Sequence, residues 1–278
     1  MNGQRILGKS LMYLALLAYV CFLAFPLLWM LSTSLKPPRE IAAQVPTLIP
    51  KNPTLEHYIA AFEEQSIIRA IYNSLKVSTL SAIVTVAVTL PAAYAMARFR
   101  SRLNKAIQGW VILSQIFPFI LIIVPLFLIL RTLGLNNTHA GLIIVYLVWS
   151  MPFTLWMLQG YVRSIPVELE EAAAVDGANR WQTLWRIVAP LLLPGVVAAT
   201  LFTFISAWNE FQFALVVLKN PKLATLPITL AKFTGVDGTA RWGPLAASSL
   251  IATLPSLLLF SFIQRGLTTG LTAGGVKQ

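Results

Sequence analysis

Glu171-Ala172-Ala173-Ala174-Val175-Asp176-Gly177-Ala178, followed by Ile187-Val188-Ala189-Pro190 and then Pro194, lies between two runs apolar enough to cross a bilayer. A loop joining two spans needs only a few polar residues. This one carries the chemistry of two short helices around a turn. Pro166 suits a first helical position, where a missing N–H costs nothing. Glu168, Glu170 and Glu171 then fall in the first turns, at the positive end of the helix dipole. Leu169, Ala172, Ala173 and Asp176 recur at i, i+3, i+4 and i+7, which predicts one shared face, and its alanines let another surface come close. Gly177 takes a positive φ without steric cost and is expected to end the first helix. Asn179 is expected to cap the second, with Gln182 closing a capping box.

The composition around this stretch is that of a membrane protein. Of 278 residues, 57% are hydrophobic and only 11% charged, with a mean hydropathy of +0.73. A soluble domain carries about 25% charged residues, so the surplus apolar surface must face lipid. The formal charge of +11 raises the question of nucleic acid. The Lys and Arg residues sit between apolar runs and form no stripe, so no nucleic-acid partner is expected and juxtamembrane anchoring is. The single cysteine, Cys21, permits no internal disulfide and no zinc cluster; in its apolar run it reads as a packing residue.

A span needs about 20 apolar residues. Six runs qualify, at roughly 11–33, 73–97, 106–130, 140–159, 191–218 and 242–264. The expected fold is all-α, a single polytopic domain over 1–278 with six transmembrane helices and a helical cytoplasmic segment at about 161–190. The first run exceeds the ~7–15 residues of a signal-peptide core and is read as a retained helix. Residues 34–72 are polar and hold Pro37, Pro38, Pro46, Pro50 and Pro53, as befits an external segment on the membrane surface. Asn52 and Pro53 are expected to open a short helix there, through about Glu64. Arg98, Arg100, Arg102 and Lys105 crowd one short loop, a marker of the cytoplasmic side. Six spans then place both termini and the 161–190 segment in the cytoplasm. A second polar loop covers 219–241, and a short Gly/Thr-rich tail covers 265–278, of which Thr272–Gln278 is too polar for the bilayer. Pro26, Pro91, Pro118, Pro125, Pro152 and Pro255 fall inside spans, where neighbouring helices satisfy the freed carbonyls.

Other motifs lead nowhere. Gly3-Gln4-Arg5-Ile6-Leu7-Gly8-Lys9-Ser10 fits a phosphate-binding loop pattern, but no strand precedes it and a span follows. His57 and His139 lie far apart without carboxylates beside them, and form neither a metal site nor a triad. Asn136-Asn137-Thr138 matches a glycosylation acceptor by chance.

The opening stretch resembles the EAA loop of ABC importer permeases, and Glu-Ala-Ala-Ala-Val-Asp-Gly-Ala resembles its carbohydrate, maltose-type branch. Asn73-Ser74-Leu75 and Ala92-Ala93-Tyr94-Ala95-Met96-Ala97-Arg98-Phe99 resemble the two ends of that family's opening conserved span. Gly270-Leu271-Thr272-Ala273-Gly274-Gly275-Val276-Lys277 resembles the end of the shorter, six-span permease. Many relatives carry an aromatic where Leu184 stands; Trp185 beside it is expected to fill that role. The resemblance implies a type I importer permease of the cell membrane. Its coupling helix would hold Glu171, Ala172, Ala173, Asp176 and Gly177 against an ATPase. It further implies a second homologous permease, two ATPase subunits, an extracellular solute-binding protein and a carbohydrate cargo. ATP and magnesium would sit on the ATPase subunits. This chain would carry no cofactor, no metal and no catalytic residue, and would not be an enzyme. A glycerol-phosphate importer is the runner-up. A secondary transporter would need intramembrane charges for ion coupling or a repeat of broken helices, and one acid alone, Glu210, falls well inside a predicted span.

An ionisable group at that depth costs at least ~2–3 kcal/mol unless it meets a partner or a watery cavity. A rise of about 1.5 Å per residue from Leu191 puts Glu210 in the outer half of the fifth helix. In the family that region lines the translocation cavity. Trp208, Asn209 and Glu210 offer the aromatic face and planar polar groups that sugars bind. Asn209 and Glu210 are expected on the path, with Trp208 packing or at its rim. The alternative is that Glu210 pairs with a polar group of the partner permease.

Overall fold

The computed structural model describes residues 2–63, 66–99, 101–235 and 240–274, and their side chains except 2–7, 112, 119 and 262–274. The chain divides into two compact units, Met1–Ile68 with Thr229–Leu254, and Arg69–Ile228 with Pro255–Gln278. The described residues contain helices and turns, with one isolated bridge between Thr234 and Ala240.

The first unit begins with α1 (Asn2–Leu35), an apolar helix carrying Pro26. Gly3–Ser10 is helical within it and forms no loop that could cradle a phosphate. Cys21 is exposed, not packed as expected. The most apolar window of α1 is entirely unburied, because no other element of this chain covers it. After α1 come α2 (Pro38–Ile41) and α3 (Glu56–Glu63). The short helix expected in this segment forms, but it opens at Glu56 rather than at Asn52 and Pro53; the Glu56 N–H is accepted by Thr54 Oγ1. Polar groups knit this segment together. The His57 ring meets Lys36 O at 2.7 Å, Ser34 Oγ meets Tyr58 OH at 2.9 Å, and Lys36 donates to Thr47 O. Burial pushes the Glu40 carboxyl up. The N–H groups of Lys51 and Asn52, the Thr47 hydroxyl and the Lys36 charge outweigh it and hold the carboxyl below its ordinary value.

The second unit is built around α4 (Ile67–Arg98), α5 (Arg102–Ile116), α6 (Phe119–Thr132) and α7 (His139–Ser164). α8 (Glu168–Val175), α9 (Arg180–Thr183), a π-helical turn (Leu184–Val188) and α10 (Ala189–Leu191) follow. Then come α11 (Leu193–Trp208) and α12 (Gln212–Val217). α13 (Leu226–Ala231) lies within the polar loop and α14 (Trp242–Gly274) closes the described chain; each contributes residues to both units. Two apolar clusters form the core. One joins Leu90, Ala93, Leu158, Val162, Leu184 and Val188; the other joins Val77, Leu142, Tyr146, Phe213 and Val217. α7 and α11 approach closely at Gly195, where an added Cβ would lie 2.5 Å from the Tyr161 ring.

Four helices are long and apolar enough to span a membrane, and up to six spans result if each of two bent pairs counts as one. The third expected span is one such pair. α5 and α6 meet at 108°, because Pro118 lacks an N–H and forces Phe117 into an extended conformation (ψ 130°). The other pair, residues 180–191 and 193–208, meets at 78°; it overlaps the fifth expected run only from 191, and α11 stops at Trp208 rather than reaching 218. The sixth overshoots. The tail expected from 265 continues α14 as helix to Gly274, and its last four residues lie outside the described ones.

Candidate functional site

The 161–190 stretch forms two helices around a turn, and the local chemistry of the chain is enough to explain it. α8 begins two residues after Pro166, so the proline precedes the helix instead of occupying its first position. Its end is a Schellman motif. Ala178 N donates to Ala173 O at 2.9 Å and Gly177 N to Ala174 O at 3.1 Å, with Gly177 at φ +82°. Asn179 then caps α9. Its Oδ1 accepts from Gln182 N and its own N–H donates to Gln182 Oε1, both at 2.9 Å. The predicted capping box is present on both sides. Leu184 and Val188 are buried in the first core cluster and anchor the far end. Trp185 beside Leu184 is exposed and meets Trp181 edge-on at 5.6 Å, so it does not fill the interior position that Leu184 holds.

The face of α8 divides differently from the expected grouping. Ala173 turns inward and is buried, while Glu171, Ala172, Asp176 and Gly177 are exposed. Leu169 is 44% and Val175 88% exposed. Leu169, Ala172, Val175 and Asp176 thus make the outer face, and the acidic first turn lies at its start.

Inside, α8 is tied to α4 by a contact the sequence reading missed. Glu170 Oε1 accepts from Arg98 Nε at 2.7 Å and Glu170 Oε2 from Tyr94 OH at 2.8 Å. Arg98 Nη2 also donates to Ile165 O at 2.9 Å, closing the connection between α7 and α8. The two charged side chains are only 10% and 11% exposed. A signal was available: Tyr94 and Arg98 are four apart, on one face of a helix. Its partner lies 72 residues away, beyond any local pattern.

Trp208, Asn209 and Glu210 lie at the end of α11, not within a continuous fifth helix. Trp208 is buried and stacks on Phe204 at 5.7 Å. Asn209 is the C-cap and exposed, with its Nδ2 donating to Ile205 O at 3.0 Å. Glu210 is half-buried and lies two residues before α12, whose first turn it caps: Oε1 accepts from Phe213 N at 2.8 Å and Oε2 from Ala214 N at 3.1 Å. Tyr146 OH donates to the same Oε2 at 2.7 Å. The carboxylate thus finds three donors within this chain, at a helix N-terminus that favours negative charge. Of the three, Asn209 is the most open.

Near that break, polar side chains fix the loop that begins at Lys219. Asn73 Nδ2 donates to Lys222 O and Ala224 O, and Ser74 Oγ accepts from Leu226 N at 2.8 Å. Asn137 Oδ1 accepts from Lys219 N and Asn220 N. His139 meets Leu223 O at 2.9 Å, a loop-holding contact.

The family model described as "Binding-protein-dependent transport system inner membrane component" matches residues 89–272. A putative ABC transporter permease of Streptomyces antibioticus is 52% identical over 229 residues, 82% of this chain and all of that one. The trehalose/maltose transport system permease MalG of Thermococcus litoralis is 33% identical over 283 residues, 99% of each chain. Among solved structures, a bacterial ABC transporter involved in import of the acidic polysaccharide alginate superposes with a TM-score of 0.79 at 23% identity. That match covers 95% of this chain and 98% of that one.

Proposed function

The chain belongs to the family of binding-protein-dependent transport system inner membrane components, and from that premise we propose that it is one permease subunit of an ATP-driven carbohydrate importer. It is a multi-pass membrane protein with the type I importer permease fold. The observation that carries the proposal is the 168–183 segment, a two-helix element fixed by caps on the inside and presenting Leu169, Ala172, Val175 and Asp176 outward. Such a surface, apolar with an acidic start, suits docking into a cleft of another protein. In this reading Glu171, Ala172, Ala173, Asp176 and Gly177 form the coupling element. Ala173 and Gly177 shape it, and the exposed residues touch the ATPase.

The proposed assembly holds a second homologous permease, two ATPase subunits that bind ATP and magnesium, and an extracellular solute-binding protein. This chain supplies half the pathway, binds no cofactor and catalyses no reaction. Both termini, the 98–105 loop and α8 face the cytoplasm. Asn209 lies on the path, Glu210 holds the broken helix that shapes it, and Trp208 packs behind. A carbohydrate cargo is supported by the relative named for trehalose and maltose. The test is a binding screen on the cognate solute-binding protein, followed by uptake in proteoliposomes. Sugar binding with sugar-stimulated ATP hydrolysis is expected. Capture of glycerol phosphates instead would overturn the carbohydrate assignment, and uptake driven by an ion gradient without ATP would overturn the importer.

A further inference from the structure

The ends of α4 and α7 and the start of α5 enclose a cleft of about 770 Å³, lined by Met96, Phe99, Arg102, Lys105, Gln108 and Arg163 among others. Its charge is one-sided. Arg102, Lys105 and Arg163 are exposed, no carboxylate lines the cleft, and none of the three pairs with an acid among the described residues. Two of these cations sit in the first turn of α5, a position that helix dipoles reserve for acids. Asn104 N–H is already taken by the Ser101 cap, so the backbone adds field here and no free donor at that residue. Three cations gathered around empty space without a counter-charge repel one another and call for an anion.

The cleft is not purely polar. Met96, Gln108 and Arg163 also line a second cavity of about 180 Å³, whose remaining walls are Val111, Leu155, Trp156 and Gln159. Basic mouth and mainly apolar groove thus share three residues. A free phosphate would use only the mouth, and an apolar molecule only the groove. One class of membrane molecule uses both.

We propose that this composite cleft binds an anionic phospholipid, with its phosphate headgroup at Arg102, Lys105 and Arg163 and an acyl chain along Val111, Leu155 and Trp156. Clustered basic residues between helix ends select anionic headgroups by charge, and the acyl chain adds hydrophobic burial. No residue of α8, nor Asn209, lines the cleft, and its Phe99 wall is covered by Arg180 of α9, whose guanidinium lies 4.5 Å from the ring centre. The proposal goes beyond the transport reading and borrows from it only the assignment of the cleft to the cytoplasmic leaflet.

The full chain would be purified from vesicles of equal phosphatidylglycerol and phosphatidylcholine, and retained lipid counted by native mass spectrometry. One tightly held phosphatidylglycerol per chain is expected. Lipid affinity should fall about fivefold per cation removed, and on the order of a hundredfold in Arg102→Gln/Lys105→Gln/Arg163→Gln. Trp156→Ala should weaken retention without altering headgroup preference, and Lys105→Arg should preserve it. Should the triple variant fail to fold, Arg163→Gln alone carries the test, with elution volume and helicity as the check. Equal retention of both lipids, retention unaffected by the variants, or displacement by millimolar inorganic phosphate would each overturn the proposal. Uptake is not the readout, so failure here leaves the importer reading standing, and failure of that reading leaves lipid retention to be measured as before.

Discussion

Replacing Glu170 with alanine should disconnect α8 from α4 while leaving both helices formed. The carboxylate holds two contacts of 2.7 and 2.8 Å, to Arg98 and Tyr94, with its ion pair about nine-tenths buried. Removing one member of a buried pair costs about 3–5 kcal/mol, because the other charge is stranded. Arg98 keeps its bond to Ile165 O and lies at a helix end that water reaches, so about 3 kcal/mol is the better figure. That amount shifts the ratio of braced to unbraced α8 by roughly 150-fold. Glu170→Gln keeps the shape and loses the charge, and should cost about 1.5 kcal/mol. The assay is sugar transported per ATP hydrolysed in the reconstituted complex. ATP turnover should persist while sugar per ATP falls, because α8 still docks but no longer moves α4. The exchanged pair Glu170→Arg with Arg98→Glu should recover part of the loss. Unchanged transport per ATP in Glu170→Ala, with an unchanged melting temperature, would refute the idea that this contact transmits force.

Gly177→Val places a β-branched residue at φ +82° and should cost about 1–3 kcal/mol; the protein inserts normally, and sugar-stimulated ATP hydrolysis drops. Glu210→Ala strips three donors of their acceptor and should lower both stability and uptake. Glu210→Gln should retain most stability, and co-purification of the partner permease reports whether the defect is assembly or path. Asn73→Ala loses two bonds to the loop at Lys222 and Ala224, and about 1–2 kcal/mol, read as faster hydrogen exchange at 219–226. Glu40 has a lowered carboxyl pKa, so its contribution is present above its unfolded value of about 4.3 and is lost as pH falls through the lower folded value. Hydrogen exchange of 36–52 should rise across that window in the wild type and lose its pH dependence in Glu40→Gln. Cysteine labelling at Arg102 from inside and at Thr47 from outside intact cells checks the topology.

What was legible in the chain was what is local. Gly177, Asn179 and Gln182 announced a helix end and a helix start because caps are chemistry between residues a few positions apart. The break at Pro118 was not singled out in the same way, because Pro26, Pro91, Pro125, Pro152 and Pro255 also lie in apolar runs and sit inside continuous helices. Nor was the break after Trp208, since neither glycine nor proline marks it and the apolar run continues through Phe213 to Val217. Its only trace is Glu210 itself, an acid where a new helix begins. The inward turn of Ala173 and the Arg98–Glu170 pair depend on where α8 lies against α4. Periodicity within α8 predicts that residues share a face, and leaves open which side is covered.

The turn between α8 and α9 has a mechanical meaning. Gly177 and Ala178, whose backbone N–H groups make the two bonds of the Schellman motif to α8 carbonyls, run straight into the capping-box asparagine. A joint bonded on both sides has little compliance. It behaves as the elbow of a rigid crank, in which a push on one arm appears at the other with scant loss. Lengthening the elbow by a pair of glycines would leave both arms intact and soften the joint, turning a stiff linkage into a spring that absorbs the stroke.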